Sequence, residues 1–182
     1  MVTVLEVLAE EASTCTSCGL AVGRTNVVFG AGSSAADLMF VGEGPGARED
    51  EQGVPFVGRS GQLLDRLLAE ELGIDRTDCY ITNVVKCRPP ENRDPRPDEI
   101  AACRPYLEQQ VALVDPAVIV TLGNFSSKLL LETDVGITKL RGRSYRFGDP
   151  ERHLVPTFHP AAALRGGAAV LARMRADLVR AK

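Results

Sequence analysis

The sequence has no apolar run long enough to span a bilayer, which argues against a transmembrane helix. Its start, MVTVLE, lacks the basic residues, the uninterrupted apolar block and the small-residue cleavage pattern of a secretory leader. These absences predict a cytoplasmic protein that makes no contact with membranes.

The chain also lacks a net positive charge, because 21 Lys and Arg residues face 24 Asp and Glu residues and leave a formal charge of -3. Such a protein has no global attraction to phosphate, so any binding of nucleic acid requires a local basic surface. The 182 residues are 45% hydrophobic, which is enough for one buried core. We therefore expect a single domain that spans residues 1–182.

Short apolar runs alternate with helical patterns along the chain. Strands are predicted at residues 38–41, 80–84, 118–122 and 154–158, and helices at residues 60–72, 97–113, 124–131 and 168–180. Strands that alternate with helices favour right-handed crossovers and a parallel sheet covered on both faces. The predicted fold class is α/β.

Glycine and polar residues follow or end each predicted strand. The first strand runs into Gly42-Glu43-Gly44-Pro45-Gly46, the second contains Asn83, the third leads to Gly123-Asn124, and the fourth ends at His159-Pro160. Ligands bind beyond the carboxyl ends of parallel strands, because loops and helix N-termini converge there. We expect these four segments to meet at one edge of the sheet.

Five cysteines form an odd set, and a reducing cytosol does not support a disulfide framework. Cys15 and Cys18 form a C-x-x-C pair, and Cys87 and Cys103 follow later in the chain. Four thiolates can hold a [4Fe-4S] cluster or a tetrahedral zinc ion, and spacing does not separate the two. Ordinary core cysteines are the alternative, and for Cys79 this is the preferred interpretation.

The GEGPG loop lacks the Lys-Ser/Thr ending of a P-loop and the G-x-G-x-x-G register, so nucleotide binding fits poorly. Asn83 could pair with a pyrimidine, because its amide can accept from N3–H and donate to O4. His159 could stabilise an oxygen that gains negative charge, and Phe56 could stack on a base. Each has a structural alternative: a satisfied core asparagine, a structural histidine and a packed phenylalanine.

Four features, taken together, resemble the family 4 uracil-DNA glycosylases, the iron-sulfur branch of that superfamily. They are GEGPG-x-x-E-D with G-x-P-F-V-G (42–58), TNVVKCRPP (82–90), the spacing of the four cysteines, and HPAAAL (159–164). The resemblance implies a three-layer α/β/α fold around a central parallel four-stranded sheet. It also implies a [4Fe-4S] cluster held by Cys15, Cys18, Cys87 and Cys103.

The resemblance further implies that the protein is a monomer that removes uracil from DNA, releases free uracil and leaves an abasic site. The target nucleotide would flip into a pocket lined by Gly42 and Gly44, where Phe56 stacks on the base and Asn83 reads its edge. His159 would be catalytic. The resemblance implies Leu164 or Arg165 as a wedge in the minor groove. From their charge, Lys86 and Arg88 are candidate phosphate contacts, with a solvated surface charge as the alternative for each.

The sequence departs from the archetypal glycosylases at two loop positions. Gly44 stands where they carry a water-activating aspartate, and Gly46 where they carry a tyrosine that blocks thymine. Our hypotheses assign the first task, as a catalytic residue, to Glu43 and the second to Glu49, which would fill the space near uracil C5. The segment 89–97 has no histidine, so we expect turnover rather than covalent trapping of DNA.

Three other functions are weighed against this one. A non-catalytic nucleic-acid-binding module with a four-cysteine zinc site explains the cysteines and leaves GEGPG, Asn83 and His159 without a task. A second alternative is a redox protein that uses a cluster for electron transfer. A protein that traps uracil-DNA covalently would need a nucleophile that the segment 89–97 does not supply.

Overall fold

The computed structural model describes residues 2–182 and is organised around one sheet. Its strands are β1 (Ala31–Gly32), β2 (Leu38–Gly42), β3 (Tyr80–Asn83), β4 (Val118–Leu122), β5 (Tyr145–Phe147) and β6 (Arg152–Thr157). Their order is β1-β3-β2-β4-β6-β5. The four central strands are parallel, and both edge strands are antiparallel to their neighbours.

The predicted α/β class and the four parallel strands are confirmed. The two edge strands were not predicted, because β1 has two residues and β5 has three. Runs this short carry no readable alternation of apolar and polar residues. Asn83 ends β3 instead of lying inside it, so its side chain stands at the carboxyl edge of the sheet.

Seven helices pack around the sheet in the part of the chain that the structure describes. They are α1 (Val4–Ser13), α2 (Ala47–Gln52), α3 (Arg59–Leu67), α4 (Pro97–Val114), α5 (Asn124–Leu130), α6 (Ile137–Leu140) and α7 (Pro160–Arg180). No helix among residues 2–182 combines the length and the apolar character needed to cross a membrane.

The helix boundaries show where the sequence patterns were incomplete. Helix α3 begins at Arg59, one residue before the predicted start, and a π-helical turn, Leu68–Leu72, continues it to Gly73. Helix α7 starts earlier than predicted, but Gly167 breaks it with φ of 68°. Helix α1 was not predicted, although Thr3 and Glu6 form a capping box at its start.

Two apolar layers cover the sheet on opposite faces, because successive residues of a strand point to opposite sides. Phe40 of β2 packs in one layer with leucines of α3 and with Met174 and Leu178 of α7. Met39 and Val41 pack in the other layer with residues of α4. The result is the three-layer α/β/α arrangement that the resemblance implies.

The carboxyl ends of the parallel strands lie at one edge of the sheet. Gly42 of β2 pairs in register with Asn83 of β3, and Leu122 of β4 pairs with Thr157 of β6. After β2, the chain adds β3 on one side of it and later β4 on the other. This reversal of strand order creates a crevice at the end of β2, which is where open α/β sheets bind ligands.

Candidate active site

A cleft of about 690 Å³ opens at this edge of the sheet. It is bounded by the loop after β2, the segment before α3, the end of β3, the segment before α4 and the start of α7. The predicted site residues that line it are Glu43, Gly44, Glu49, Phe56, Asn83, His159 and Arg165. Three of the four predicted segments therefore converge on the cleft, whereas Gly123-Asn124 lies beside His159 without lining it.

Asn83 presents an unpaired acceptor in this cleft. The residue is 1% exposed, and its Oδ1 has no hydrogen-bond partner among the described residues. A buried amide oxygen without a donor costs free energy, on the order of 1–3 kcal/mol. The site therefore favours a ligand that brings an N–H group to this oxygen.

Gly42 lies directly against Asn83 and Phe56. A Cβ atom at Gly42 would stand 2.4 Å from Asn83 Oδ1 and 2.6 Å from Phe56 Cζ, closer than real contacts allow. Gly42 is thus required for the close approach of the amide and the ring. It forms the back of the pocket and does not line the open cleft.

The Phe56 ring lies beside the His159 ring, with 5.7 Å between their centroids and 32° between their planes. Phe56 has a positive φ of 54°, in the left-handed region that residues other than glycine rarely adopt. This conformation costs about 1–2 kcal/mol and persists where surrounding contacts impose it. Contacts from the surrounding chain therefore hold the ring in this position.

His159 is the N-cap of α7, and its Nδ1 accepts a hydrogen bond of 3.1 Å from the Ala161 N–H. With Nδ1 acting as acceptor, the proton of the neutral ring resides on Nε2. Burial, and next the positive charge of Arg165, lower the pKa of His159 to about 4. Near neutral pH the ring is an uncharged Nε2–H donor.

Glu43 stands at the start of the loop after β2. Burial, and next the negative charge of Asp94, raise the pKa of its carboxyl group to about 7. Its backbone oxygen accepts a hydrogen bond of 3.1 Å from the Val85 N–H, which fixes the loop to the segment after β3. A carboxyl group with such a pKa can exchange a proton near neutral pH.

Glu49 Oε1 accepts hydrogen bonds from the Val57 N–H at 2.9 Å and the Gly58 N–H at 2.8 Å. Its Oε2 lies over Gly46, where it would stand 2.8 Å from a Cβ atom. Glu49 thus has one oxygen bound to the loop that carries Phe56. The other occupies the space that a side chain at position 46 would need.

The predicted DNA contacts differ in whether their side chains are accessible to DNA. Leu164 is 42% exposed on the first turns of α7, and its neighbour Arg165 lines the cleft. Arg88 is half-buried, and its Nε donates to Asn92 Oδ1 at 2.8 Å. These positions are compatible with contacts to a duplex that enters the cleft.

The predicted phosphate contact of Lys86 is wrong. Lys86 is 2% exposed, and its Nζ donates to Thr82 Oγ1 at 2.8 Å, to the Asn83 oxygen at 2.6 Å and to Gln110 Oε1 at 2.6 Å. All three protons of the ammonium group are therefore used inside the protein. The charge of Lys86 predicted a position at the surface, but the fold buries its side chain between β3 and α4.

Several cleft residues were not predicted from the sequence: Arg48, Arg59, Ser60, Asn92, Arg93 and Asp94. The last three belong to the proline-stiffened segment after β3, which contributes a wall of the cleft. The rule that loops after carboxyl ends converge would have identified this segment. Arg93 is held there by a 2.6 Å ion pair with the buried Glu99.

Four cysteines surround a second, separate pocket on the α4 side of the sheet. Its walls contain Cys15, Cys18, Cys87 and Cys103. The Lys86 N–H donates to Cys103 Sγ at 3.2 Å, and Arg24 Nη1 donates to Cys87 Sγ at 3.4 Å. Donors of this kind favour thiolate sulfur, so the pocket suits a group ligated by four thiolates.

Within residues 2–182, no three Cys, His, Asp or Glu side chains are close enough to hold a single metal ion. A [4Fe-4S] cluster takes one thiolate on each of four irons, so its ligands stand farther apart than those of one ion. The fifth cysteine, Cys79, is fully buried in the other apolar layer, and burial raises its pKa to about 12. Its predicted role as a buried apolar residue is confirmed.

Comparisons with known proteins agree with the geometry. Residues 29–179 match the uracil DNA glycosylase superfamily. The type-4 uracil-DNA glycosylase of Sulfurisphaera tokodaii is 50% identical over 88% of this chain and 76% of its own length. The type-4 enzymes of Saccharolobus solfataricus and Thermotoga maritima are 47% and 46% identical, over 88% and 93% of this chain and 77% and 88% of their own lengths.

The match extends over the whole sheet and includes every strand end that borders the cleft. The resemblance read from the sequence motifs is thereby confirmed. The chain belongs to the uracil DNA glycosylase superfamily and, within it, to the type-4 uracil-DNA glycosylases.

Proposed function

We propose that this protein hydrolyses the N-glycosidic bond between uracil and deoxyribose in DNA, releases free uracil and leaves an abasic site. The observation that carries the proposal is the buried, unpaired Oδ1 of Asn83, which faces a cleft also lined by Phe56 and His159. This oxygen accepts from uracil N3–H. Cytosine has no proton at N3, so it leaves the amide oxygen unpaired.

The reaction begins with extrusion of the nucleotide from the duplex, because the base edge is out of reach inside the stack. Phe56 stacks on the extruded ring, and Leu164 or Arg165 enters the space it vacates. Arg48, Arg59 and Arg165 line the cleft and supply the local positive charge that the acidic chain lacks overall. Arg88 is placed to contact a neighbouring phosphate.

Bond cleavage moves negative charge onto uracil O2. The Nε2–H of neutral His159 donates to this oxygen, and the dry site strengthens that hydrogen bond. The Glu43 carboxylate orients the attacking water or stabilises the positive charge that develops on the sugar. The loop after β2 lines the cleft with residues 43–46. Residue 44 is glycine, so Glu43 is the ionisable side chain among these four.

Thymine differs from uracil by a methyl group at C5, and Glu49 is our candidate for its exclusion. Its Oε2 already occupies the space above Gly46 and is held there by the bonds of Oε1 to the next loop. A Glu49→Ala variant should release thymine from DNA. Continued refusal of thymine by this variant would reject the assignment.

Cys15, Cys18, Cys87 and Cys103 are proposed to hold a [4Fe-4S] cluster that cross-links three parts of the chain. The four thiols line one pocket, and two of them receive donors from Arg24 and the backbone of Lys86. The cluster's chemistry here is structural: it fixes the segment from Lys86 to Pro97 that walls the cleft. Iron and sulfide analysis, with visible absorbance, distinguishes this group from zinc.

The activity is tested by release of free uracil from an oligonucleotide with one uracil, beside matched oligonucleotides with cytosine or thymine. We expect release from the uracil substrate alone. His159→Ala should lower the rate by about 10²- to 10³-fold, because one preorganised donor is lost. His153→Ala is the matched control, since the other histidine is exposed and contacts Ser144.

Two outcomes would count against the proposal. Binding of uracil-DNA without base release would favour a non-catalytic module. A protein-DNA adduct that survives denaturation would favour covalent trapping, for which the segment 89–97 offers no histidine.

A further inference from the structure

We propose that Arg76, which lies behind the cleft, is a positioning residue for the base-stacking ring of Phe56 and thereby sets the affinity for uracil. The inference rests on the proposed function, because the partner of the ring is the extruded base. Arg76 belongs to the connection between the π-helical turn Leu68–Leu72 and β3, 20 residues after Phe56 in sequence. It is not among the residues that line the cleft.

The guanidinium group of Arg76 binds two successive carbonyl groups. Its Nη2 donates to the Pro55 oxygen at 2.7 Å, and its Nη1 donates to the Phe56 oxygen at 3.2 Å. The planar fork of arginine suits a pair of acceptors in fixed relative positions, whereas lysine carries all its donors on one nitrogen and lacks this fixed planar geometry. Arg76 therefore restrains the peptide groups on both sides of the Phe56 Cα atom.

Other contacts restrain the same turn from its opposite end. Glu49 accepts from the Val57 and Gly58 N–H groups. A Cβ atom at Gly61 would stand 1.7 Å from the Phe56 oxygen, so α3 reaches this carbonyl only because residue 61 is glycine. The peptide group after Phe56 is thus clamped by Glu49 at its N–H and by Arg76 at its oxygen, and the peptide group before Phe56 is held by Arg76 at the Pro55 oxygen.

The clamp matters because the left-handed backbone of Phe56 is unfavourable on its own. Without the two carbonyl bonds, the backbone at Phe56 gains access to ordinary φ values, and the ring then leaves its place beside His159. Arg76 also lies 3.6 Å from Asp65 Oδ2, and its side chain is 27% exposed. Lysine at this position would keep the charge beside Asp65 and lose the fork.

The test compares Arg76→Lys in the native protein and in a Phe56→Ala background. In the native background, we expect the inhibition constant for free uracil and the KM for uracil-DNA to rise about tenfold, the effect of one charged hydrogen bond. The kcat should stay within about threefold, because no group that touches the breaking bond has changed. In the Phe56→Ala background, Arg76→Lys should change neither constant further.

Arg66→Lys is the matched control. Arg66 lies one helical turn from Glu70, with which it forms an exposed ion pair, so this variant should behave as the native protein. Urea unfolding of each variant separates positioning from stability. Arg76→Lys should retain a cooperative transition.

Three results would overturn the proposal: no rise in the uracil inhibition constant, an equal rise in both backgrounds, or loss of cooperative unfolding in Arg76→Lys. The last two would assign Arg76 a general structural role. Uracil release by the native protein is measured first. Its absence would refute the proposed function itself, which is a different result from a native enzyme that is insensitive to Arg76.

Discussion

The base cleft and the cysteine pocket are built in opposite ways. The cleft stands on the ends of β2 and β3, where strand register brings Gly42 and Asn83 together. The cysteine pocket draws on the segment after α1, the segment after β3 and one turn of α4, and none of its four cysteines lies in a strand. Strand register therefore fixes the floor of the cleft, whereas the position of the four sulfur atoms depends on the group that joins them.

The two regions are linked by a short piece of chain. Between Asn83 at the cleft and Cys87 at the cysteine pocket, Lys86 bonds to both sides: its Nζ to the Asn83 oxygen and its N–H to Cys103 Sγ. A change in the cysteine pocket can thus reach the residue that reads the base. Variants of the cleft, of the cysteine pocket and of the chain between them should therefore differ in how far their effects spread.

The largest effect is expected in the cleft itself. Asn83→Ala removes the unpaired acceptor, and uracil release should fall by about 10³-fold. Because strand register holds the cleft, the visible absorbance of the purified protein should not change. Asn124→Ala is the control, since that asparagine follows β4 and bonds to the Ile137 N–H outside the cleft. Loss of visible absorbance in Asn83→Ala would show that the two regions are not separable.

A variant of the cysteine pocket should affect both regions. Cys87→Ala should lose iron, and trypsin should cleave the segment 88–96 faster, at the Arg93–Asp94 bond, since prolines follow Arg88 and Arg96. Uracil release should fall by about 10²-fold, because a displaced cleft wall misplaces the reacting groups. Cys79→Ala should retain iron, since Cys79 packs in the apolar layer on the other face of the sheet. If iron-free Cys87→Ala resists trypsin as well as the native protein does, the segment 88–96 needs no cross-link through the cysteine pocket.

The same contrast explains what could be predicted from the sequence. Parallel strands bring their carboxyl ends together, so the convergence of Asn83, His159 and the GEGPG loop follows from strand order. No comparable rule predicts which side chains form hydrogen bonds between loops. The inward turn of Lys86 depends on Gln110 of α4, and the clamp on Phe56 depends on Arg76. No local pattern relates these distant partners, and the charge of Lys86 pointed to the surface.

The duplex-facing rim of the cleft should give a smaller effect that depends on the substrate. Leu164→Ala removes the exposed apolar side chain beside the cleft, so release of uracil from a paired duplex should fall about tenfold. Release from single-stranded DNA should not change, because no partner strand needs to be held open. Val179→Ala, at a somewhat more exposed position of the same helix, is the control. Equal losses on both substrates would remove Leu164 from the role of a wedge.

The smallest effect is expected in the pH dependence of uracil release, which depends on Glu43 and on Asp94 in the segment before α4. Glu43 has a pKa raised to about 7, so it is a carboxylate above that pH and is protonated below it. The kcat/KM for uracil release should therefore rise with pH through about 7. The pKa of His159, lowered to about 4, places its titration outside this range. The other ionisable groups that line the cleft are Arg48, Glu49, Arg59, Arg93, Asp94 and Arg165.

Asp94→Asn tests this assignment, because the negative charge of Asp94 helps to raise the pKa of Glu43. Without that charge, the acid limb should move to lower pH, and the variant should be faster than the native protein at pH 6. The gain is less than about tenfold, since about a tenth of Glu43 is already ionised one pH unit below a pKa of 7. Glu43→Gln should lack this limb and be slower at pH 8. An acid limb that persists in Glu43→Gln would assign the titration to another group and remove Glu43 from the chemistry.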